Sequence, residues 1–325
     1  MRYIDCHCDT LTELQEGETL RVNQRNVSLQ ALRDAECMIQ FCSIFIPTGT
    51  FPAEERNRRI VEEYDRILTV CQRELEKNSK ELVKILSGKE VIQCQQEKKT
   101  GILLTIEDGG VFMGDIRRLY KAYEDGVRLV TLTWNHENEI GYPNSTDADV
   151  MCRGLKRFGY EVLEEMCRLG MLVDVSHLSD GGFLDTAEFM KKKGLPFVAS
   201  HSNARALCPH QRNLPDEYIK ILADTGGVMG LNFAAHFLNE KEKADGNSRV
   251  EDMVRHVLHI RDIGGTEVLA IGSDFDGVSS RLEIDSPLKM HLLYEALHKA
   301  GMTEGELEKM FYKNVLRVMK DILKS

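Results

Sequence analysis

The 325-residue chain contains no run of about 18 apolar residues, so no membrane-spanning helix is expected. Its opening, MRYIDCHCDT, has no apolar stretch behind the first basic residue, which argues against a secretory leader. Its last residues, KDILKS, lack the hydrophobic tail that a lipid-anchor signal needs. Basic residues are in deficit: 42 Lys and Arg stand against 52 Asp and Glu, a net charge of −10. That balance disfavours nucleic acid and anionic membrane as partners, because both reward clustered Lys and Arg. Only 7 Pro are present and no low-complexity linker interrupts the chain, so residues 1–325 read as one domain. The 9 Cys include no pair spaced as a zinc knuckle, and they read as reduced thiols of a cytoplasmic protein. No G-x-G-x-x-G follows an early strand, which removes the main signal for a dinucleotide-binding open sheet.

What the sequence does contain is an alternation. Short Val, Ile and Leu-rich runs fall at 2–5, 38–46, 101–107, 128–133, 171–176, 196–200, 227–232 and 268–273. Helical periodicity covers 53–76, 115–125, 159–169, 181–193, 216–224, 249–263 and 288–300, with a last amphipathic stretch at 304–323. Residues 232–247 read as a long loop. Strands apolar on both faces and separated by helices imply a parallel sheet covered by helices. Eight such repeats predict an α/β fold of the (β/α)8 TIM-barrel type.

In such a barrel the chemistry gathers at the C-terminal ends of the strands. The first predicted strand runs into His7 and Asp9, two apart and therefore on one face of an extended chain. The third ends in Glu107, the fifth in His177, the sixth in His201 and the eighth in Asp274. Each has an ordinary alternative. Asp9 could cap a helix that starts at Thr10, Glu107 could be a solvated loop acid, and a single strand-end His is more often structural. Together, though, three imidazoles and three carboxylates on one apolar rim would repel and desolvate one another without a cation. The mixture suits Zn²⁺ or another first-row divalent ion better than Ca²⁺ or Mg²⁺. Cys6 and Cys8 are expected to pack against the helix layer, and His256 and His259 to be half-exposed structural residues. Among the remaining imidazoles, His210 is expected closest to the site.

The ordered set is His7-x-Asp9, the Glu107-Asp108-Gly109 turn, the two later strand-end His, Gln211-Arg212-Asn213-Leu214-Pro215-Asp216 and Gly272-Ser273-Asp274-Phe275-Asp276-Gly277. It resembles the membrane (renal) dipeptidase family, metallopeptidase family M19, one of the amidohydrolase-like barrels. The resemblance runs from about 5 to 277. It implies two Zn²⁺ per chain, held by His7, Asp9, Glu107, His177 and His201, with Glu107 bridging, and it implies a homodimer. It also matches Arg212 to the family's substrate arginine and Asp274 to the acidic residue after the last strand. Asp276 lies two positions on, and Asp274 is preferred because it sits directly at the strand end. One departure stands out. Mammalian members carry a substrate-contacting His after the T-L-T of the fourth strand, where this chain has Trp134, followed by Asn135 and His136. Those three are the candidate substrate contacts on that side.

The expected activity is hydrolysis of small dipeptides, including those with a C-terminal D-residue. Two metal ions would supply a bridging hydroxide, because they can lower the pKa of a shared water toward roughly 7. Asp274 would carry the proton to the departing amine, and Arg212 would hold a substrate carboxylate. Alone, Arg212 reads equally well as a surface salt bridge. Two rivals share the site: another amidohydrolase-type reaction on a small amide, lactam or lactone, and a non-catalytic metal-binding barrel.

Overall fold

A computed structural model describes residues 1–324, with the backbone alone at Gln95. Eight strands pair in parallel: β1 (Tyr3–Asp5), β2 (Cys37–Phe45), β3 (Thr100–Glu107), β4 (Val127–Thr131), β5 (Leu172–Asp174), β6 (Val198–Ala199), β7 (Val228–Leu231) and β8 (Leu269–Ile271). Each lies beside its successor, and β1 joins β8 through Asp5 opposite Ile271, which closes the barrel. All eight correspond to the apolar runs read from the sequence. Among the described residues, no helix is long and apolar enough to cross a membrane.

The strands are apolar on both faces because each face meets its own core. An inner cluster takes Ile4, Ile39, Leu103, Leu129, Leu172, Val198, Val228 and Ala270, one from each strand, which only the barrel interior can bring together. These residues lie short of the C-terminal ends of their strands, and the final helix, Asn314–Ile322, closes the opposite end. It does so with Val315, Val318, Met319 and Ile322, the spacing of one helical face. The outer face of the strands packs with the helices in a second, larger cluster. There the long helix Arg56–Lys77 contributes Ile60, Ile67, Leu68 and Cys71. Cys8 packs in this helix-facing cluster as expected, whereas Cys6 lies in the inner one.

The structure adds elements that the periodicity did not show. A strand at Leu82–Lys84 pairs with the start of β3, on the edge that β4 takes over from Leu104. Helix Gly88–Glu97 begins at a capping box between Ser87 and Glu90. The expected loop 232–247 carries a helical turn, Ala235–Leu238, and ends in a short strand that pairs with Arg281–Leu282. The terminal amphipathic stretch is one helical path interrupted by a π-helical turn at Lys309–Lys313.

Between the apolar floor and the open end, β6, β7 and β8 approach closely enough to require glycine. A Cβ on Gly230 or Gly272 would be driven into the carbonyl oxygen of Ser200. Backbone cannot move aside as a side-chain tip can, so Gly272→Ala should destabilise the protein by about 3 kcal/mol. Gly88, with nothing near its missing Cβ, is the control. Denaturant midpoints that agree within error for Gly272→Ala and Gly88→Ala would refute the close approach.

Candidate metal centre

Two buried carboxylates set the backbone from which the candidate residues project. Asp5, at the end of β1, accepts hydrogen bonds from Ser273 N (2.8 Å), Ser273 Oγ (2.6 Å) and Gln40 Nε2 (3.0 Å). This ties the chain leading to His7 to the chain leading to Asp274. Asp174, at the end of β5, accepts from Ser176 N (3.0 Å) and Ser200 N (2.8 Å), just before His177 and His201. His177 (φ 67°) and Asp274 (φ 63°) both adopt the left-handed region. For residues with a Cβ this costs about 1–2 kcal/mol each. Such strain persists where surrounding bonds over-determine the conformation.

The result is a cluster drawn from five strand ends. His7 Nε2 lies 3.3 Å from Glu107 Oε2, 3.6 Å from Asp9 Oδ2 and 3.8 Å from Asp274 Oδ1. Glu107 Oε1 lies 3.1 Å from His177 Nε2 and 3.5 Å from His201 Nε2. Three overlapping groups have ligand atoms close enough to share an ion: His7 with Asp9 and Glu107, Glu107 with His177 and His201, and His7 with His201 and Asp274. Glu107 belongs to two of these groups through different oxygens, as a bridging carboxylate would.

The chemistry of the donor set fits a cation. Asn135 Oδ1 lies 2.9 Å from His177 Nδ1 and holds that nitrogen as the N–H, so Nε2 carries a lone pair. That Nε2 faces His201 Nε2 at 3.1 Å with Glu107 Oε1 beside both, three donor atoms close enough to share one ion. Both ring nitrogens of His7 and Asp9 Oδ1 are buried without hydrogen-bond partners. Polar atoms stranded together in this way cost several kcal/mol unless a cation is shared among them.

Charge follows the same logic. Burial pushes Glu107 up to about 7, with His7 opposing and Asp9 adding. Burial works against charge on His7, but Glu107 and Asp9 outweigh it and hold the imidazole well above its usual value. Burial and the Arg212 charge keep His177 well below the ordinary imidazole range, and burial with His7 does the same for His201. Burial raises Asp274, whose Oδ2 accepts from Asn232 Nδ2 at 2.8 Å.

The ordinary readings of single residues do not hold. Asp9 stands at a helix start but makes no capping bond, and Glu107 is 3% exposed. Arg212, also 3% exposed, forms no salt bridge among the described residues; Nη1 donates to Ser202 Oγ at 2.8 Å, while Nε and Nη2 have no partner. Burial draws its guanidinium down to about 10, so it stays charged at neutral pH. Asp276 borders the same cleft, but both its oxygens are engaged: Thr10 Oγ1 (2.5 Å) and Asn26 N (2.7 Å) donate to them. Gly277 follows because a Cβ there would strike the carboxylates of Asp9 and Asp274.

A cleft of about 250 Å³ opens onto the cluster. Trp134 lines it, edge-on to Phe45 at 5.0 Å between ring centres. Asn135 lines it too, with its oxygen turned to His177. His136 is exposed, 5.7 Å from the Trp134 ring and outside the cleft wall. His210 is one step removed, its Nδ1 accepting from Arg212 N at 3.1 Å. The sequence reading missed His236 and Phe237, which complete the wall from the turn after β7, and Asn232, which holds Asp274. Asn232 directly follows β7, and the strand-end rule applied to the seventh strand would have found it. His256 is buried rather than half-exposed. Its ring lies between Leu238 O (2.9 Å) and Ala204 N (3.1 Å), and it is structural. His259 pairs with Asp216 at 2.7 Å.

Comparison with known proteins agrees with this architecture. A Klebsiella pneumoniae protein, "Uncharacterized protein in pqqA 5'region", is 34% identical over 243 residues, 73% of this chain and 88% of its own. The solved dipeptidase AC, a family M19 metallopeptidase, superposes with a TM-score of 0.88 at 23% identity, covering 100% of this chain and 99% of its own. A Rhodobacter sphaeroides metallopeptidase liganded with a phosphinate mimic of the dipeptide L-Ala-D-Ala gives 0.82 at 22% identity over 99% of both chains. These likenesses carry the barrel. The membrane dipeptidase family, peptidase family M19, matches residues 1–324, and the chain therefore belongs to that family of metal-dependent dipeptidases.

Proposed function

We propose that the chain, acting as one barrel domain, hydrolyses the amide bond of free dipeptides with two Zn²⁺ held by His7, Asp9, Glu107, His177 and His201. When bound, the ions would activate a water and polarise the scissile carbonyl. Asp274, buried beside His7 and oriented by Asn232, takes the proton of the attacking water and returns it to the amine, which leaves readily only once protonated. Trp134 and Phe45 wall the cleft against water and set the room for side chains. The Rhodobacter sphaeroides protein accommodates an L,D-dipeptide mimic, which supports acceptance of a C-terminal D-residue here.

The observation that carries this reading is Arg212, whose guanidinium is buried and charged, with two nitrogens that have no hydrogen-bond partner. A planar fork of that kind matches a carboxylate. With metal at one end and arginine at the other, the site measures a substrate of two residues. Arg212→Ala should raise KM by roughly 10–150-fold, the worth of a charge-assisted bond of about 1.5–3 kcal/mol. Arg212→Lys should recover only part of this. Wild type should also discriminate strongly against a dipeptide amidated at its C-terminus, while the Ala variant treats acid and amide alike. Equal discrimination by both enzymes would remove Arg212 as the anchor and favour a lactam or another small amide as substrate.

A further inference from the structure

We infer that Asp174 and Ser200 are positioning residues that fix the tautomer of His201, leaving its Nε2 with a free lone pair toward Glu107. The inference rests on the reading of His201 as a metal ligand, and it deepens that reading by assigning what prepares the ligand.

The protons on this chain of groups can be counted. Asp174 Oδ1 receives two backbone N–H groups, from Ser176 (3.0 Å) and Ser200 (2.8 Å). A backbone N–H can only donate, so Oδ1 is an acceptor. Asp174 Oδ2 receives Thr131 Oγ1 at 2.6 Å and Ser200 Oγ at 2.5 Å. Ser200 has a single hydroxyl proton, and the short contact with a carboxylate oxygen takes it. What Ser200 Oγ offers to His201 Nδ1, 2.7 Å away, is therefore a lone pair. Nδ1 must carry the ring proton and Nε2 must not. Ser176 closes the network, accepting from His201 N at 3.1 Å and lying 3.3 Å from Ser200 Oγ. Asp174, Ser176, Ser200 and His201 are all buried, so water does not compete for these positions.

The count makes an unusual demand on a conservative variant. In Asp174→Asn the two backbone N–H groups keep the amide oxygen at the Oδ1 position, which turns the NH₂ toward Ser200. The serine oxygen then accepts from Asn, and its hydroxyl proton turns to His201 Nδ1. His201 must respond by moving its own proton to Nε2, where it blocks coordination. An isosteric change at Asp174 should thus impair the metal site more than Ser200→Ala, which removes the orienting group but forces no wrong tautomer.

The test uses ring ¹⁵N shifts in the metal-free protein and Zn²⁺ affinity measured against a competing chelator. Wild type should show His201 protonated at Nδ1, and Asp174→Asn should show it protonated at Nε2. Ser200→Ala should weaken Zn²⁺ binding by about 10–100-fold, the usual worth of a group that orients a ligand. Asp174→Asn should weaken it further, and the double variant should return to the Ser200→Ala value. A wild-type His201 protonated at Nε2 would overturn the inference. So would a loss in Asp174→Asn that persists in full without Ser200, since the effect would then be general disruption. If wild type takes up no Zn²⁺, the metal-ligand reading fails, and the ring shifts alone decide the tautomer.

Discussion

His201→Ala should lose at least one metal equivalent and about 10⁴-fold or more in activity, as happens when one member of a group that acts as a unit is removed. His201 has no exposed surface, and its Nε2 stands 3.1 Å from His177 Nε2 and 3.5 Å from Glu107 Oε1. The five candidate ligands share Glu107 between two halves, so a vacancy in one half also leaves the bridging carboxylate misplaced for the other. Removal of a buried ring destabilises the fold as well, and the comparison must separate the two effects. His256 supplies the control because it is equally buried but bonded to backbone atoms of Leu238 and Ala204. His256→Ala should cost about 2–3 kcal/mol of stability, from a cavity and two broken bonds, and retain the full metal content. Metal per chain by mass spectrometry and the thermal midpoint, read on both variants, give opposite patterns. Full metal content in His201→Ala would end the ligand assignment.

The barrel and its rim were legible for one physical reason. Strands buried on both faces spell themselves as unbroken apolar runs, and the polar residue that ends such a run marks the rim. This places His7, Glu107, His201 and Asp274 without knowledge of any contact. Asp174 escaped the same rule because it lies inside the run read as 171–176, where the strand reads on to His177, whereas the observed strand stops at Asp174. Its role appears only when Ser200 arrives from the neighbouring strand. His236 and Phe237 were hidden in a stretch that reads as loop, because a four-residue helical turn is too short to establish a period. Helix Gly88–Glu97 was missed although Ser87 and Glu90 spell its capping box, since the Gly that opens it and its scattered apolar residues mask the pattern. His256 was misjudged because an outer helix was expected to show one face to water, whereas the turn after β7 covers it.

Asp274→Asn should keep both metals and lose kcat by roughly 10²–10⁴-fold, the range for a positioned acid–base group. In the sequence only its place directly at the strand end favours it over Asp276, which follows two residues later and shares its left-handed backbone, with φ 63° against 65°. Their partners separate them. Asp274 Oδ1 faces His7 Nε2 at 3.8 Å and makes no short bond there, so it is free to take a proton, while Asn232 anchors Oδ2. Both oxygens of Asp276 are already engaged, by the Thr10 hydroxyl and the Asn26 backbone, in a tie that holds the loop after β1 against the loop after β8. Asp276→Asn should therefore lower stability by about 1–3 kcal/mol, since the amide cannot accept from both, and change kcat by less than about 10-fold. The two variants, assayed with saturating Zn²⁺ and a free dipeptide, distinguish a proton carrier from a loop tie. A large kcat loss confined to Asp276→Asn would move the proton to the other carboxylate and leave the Asn232 contact as mere packing.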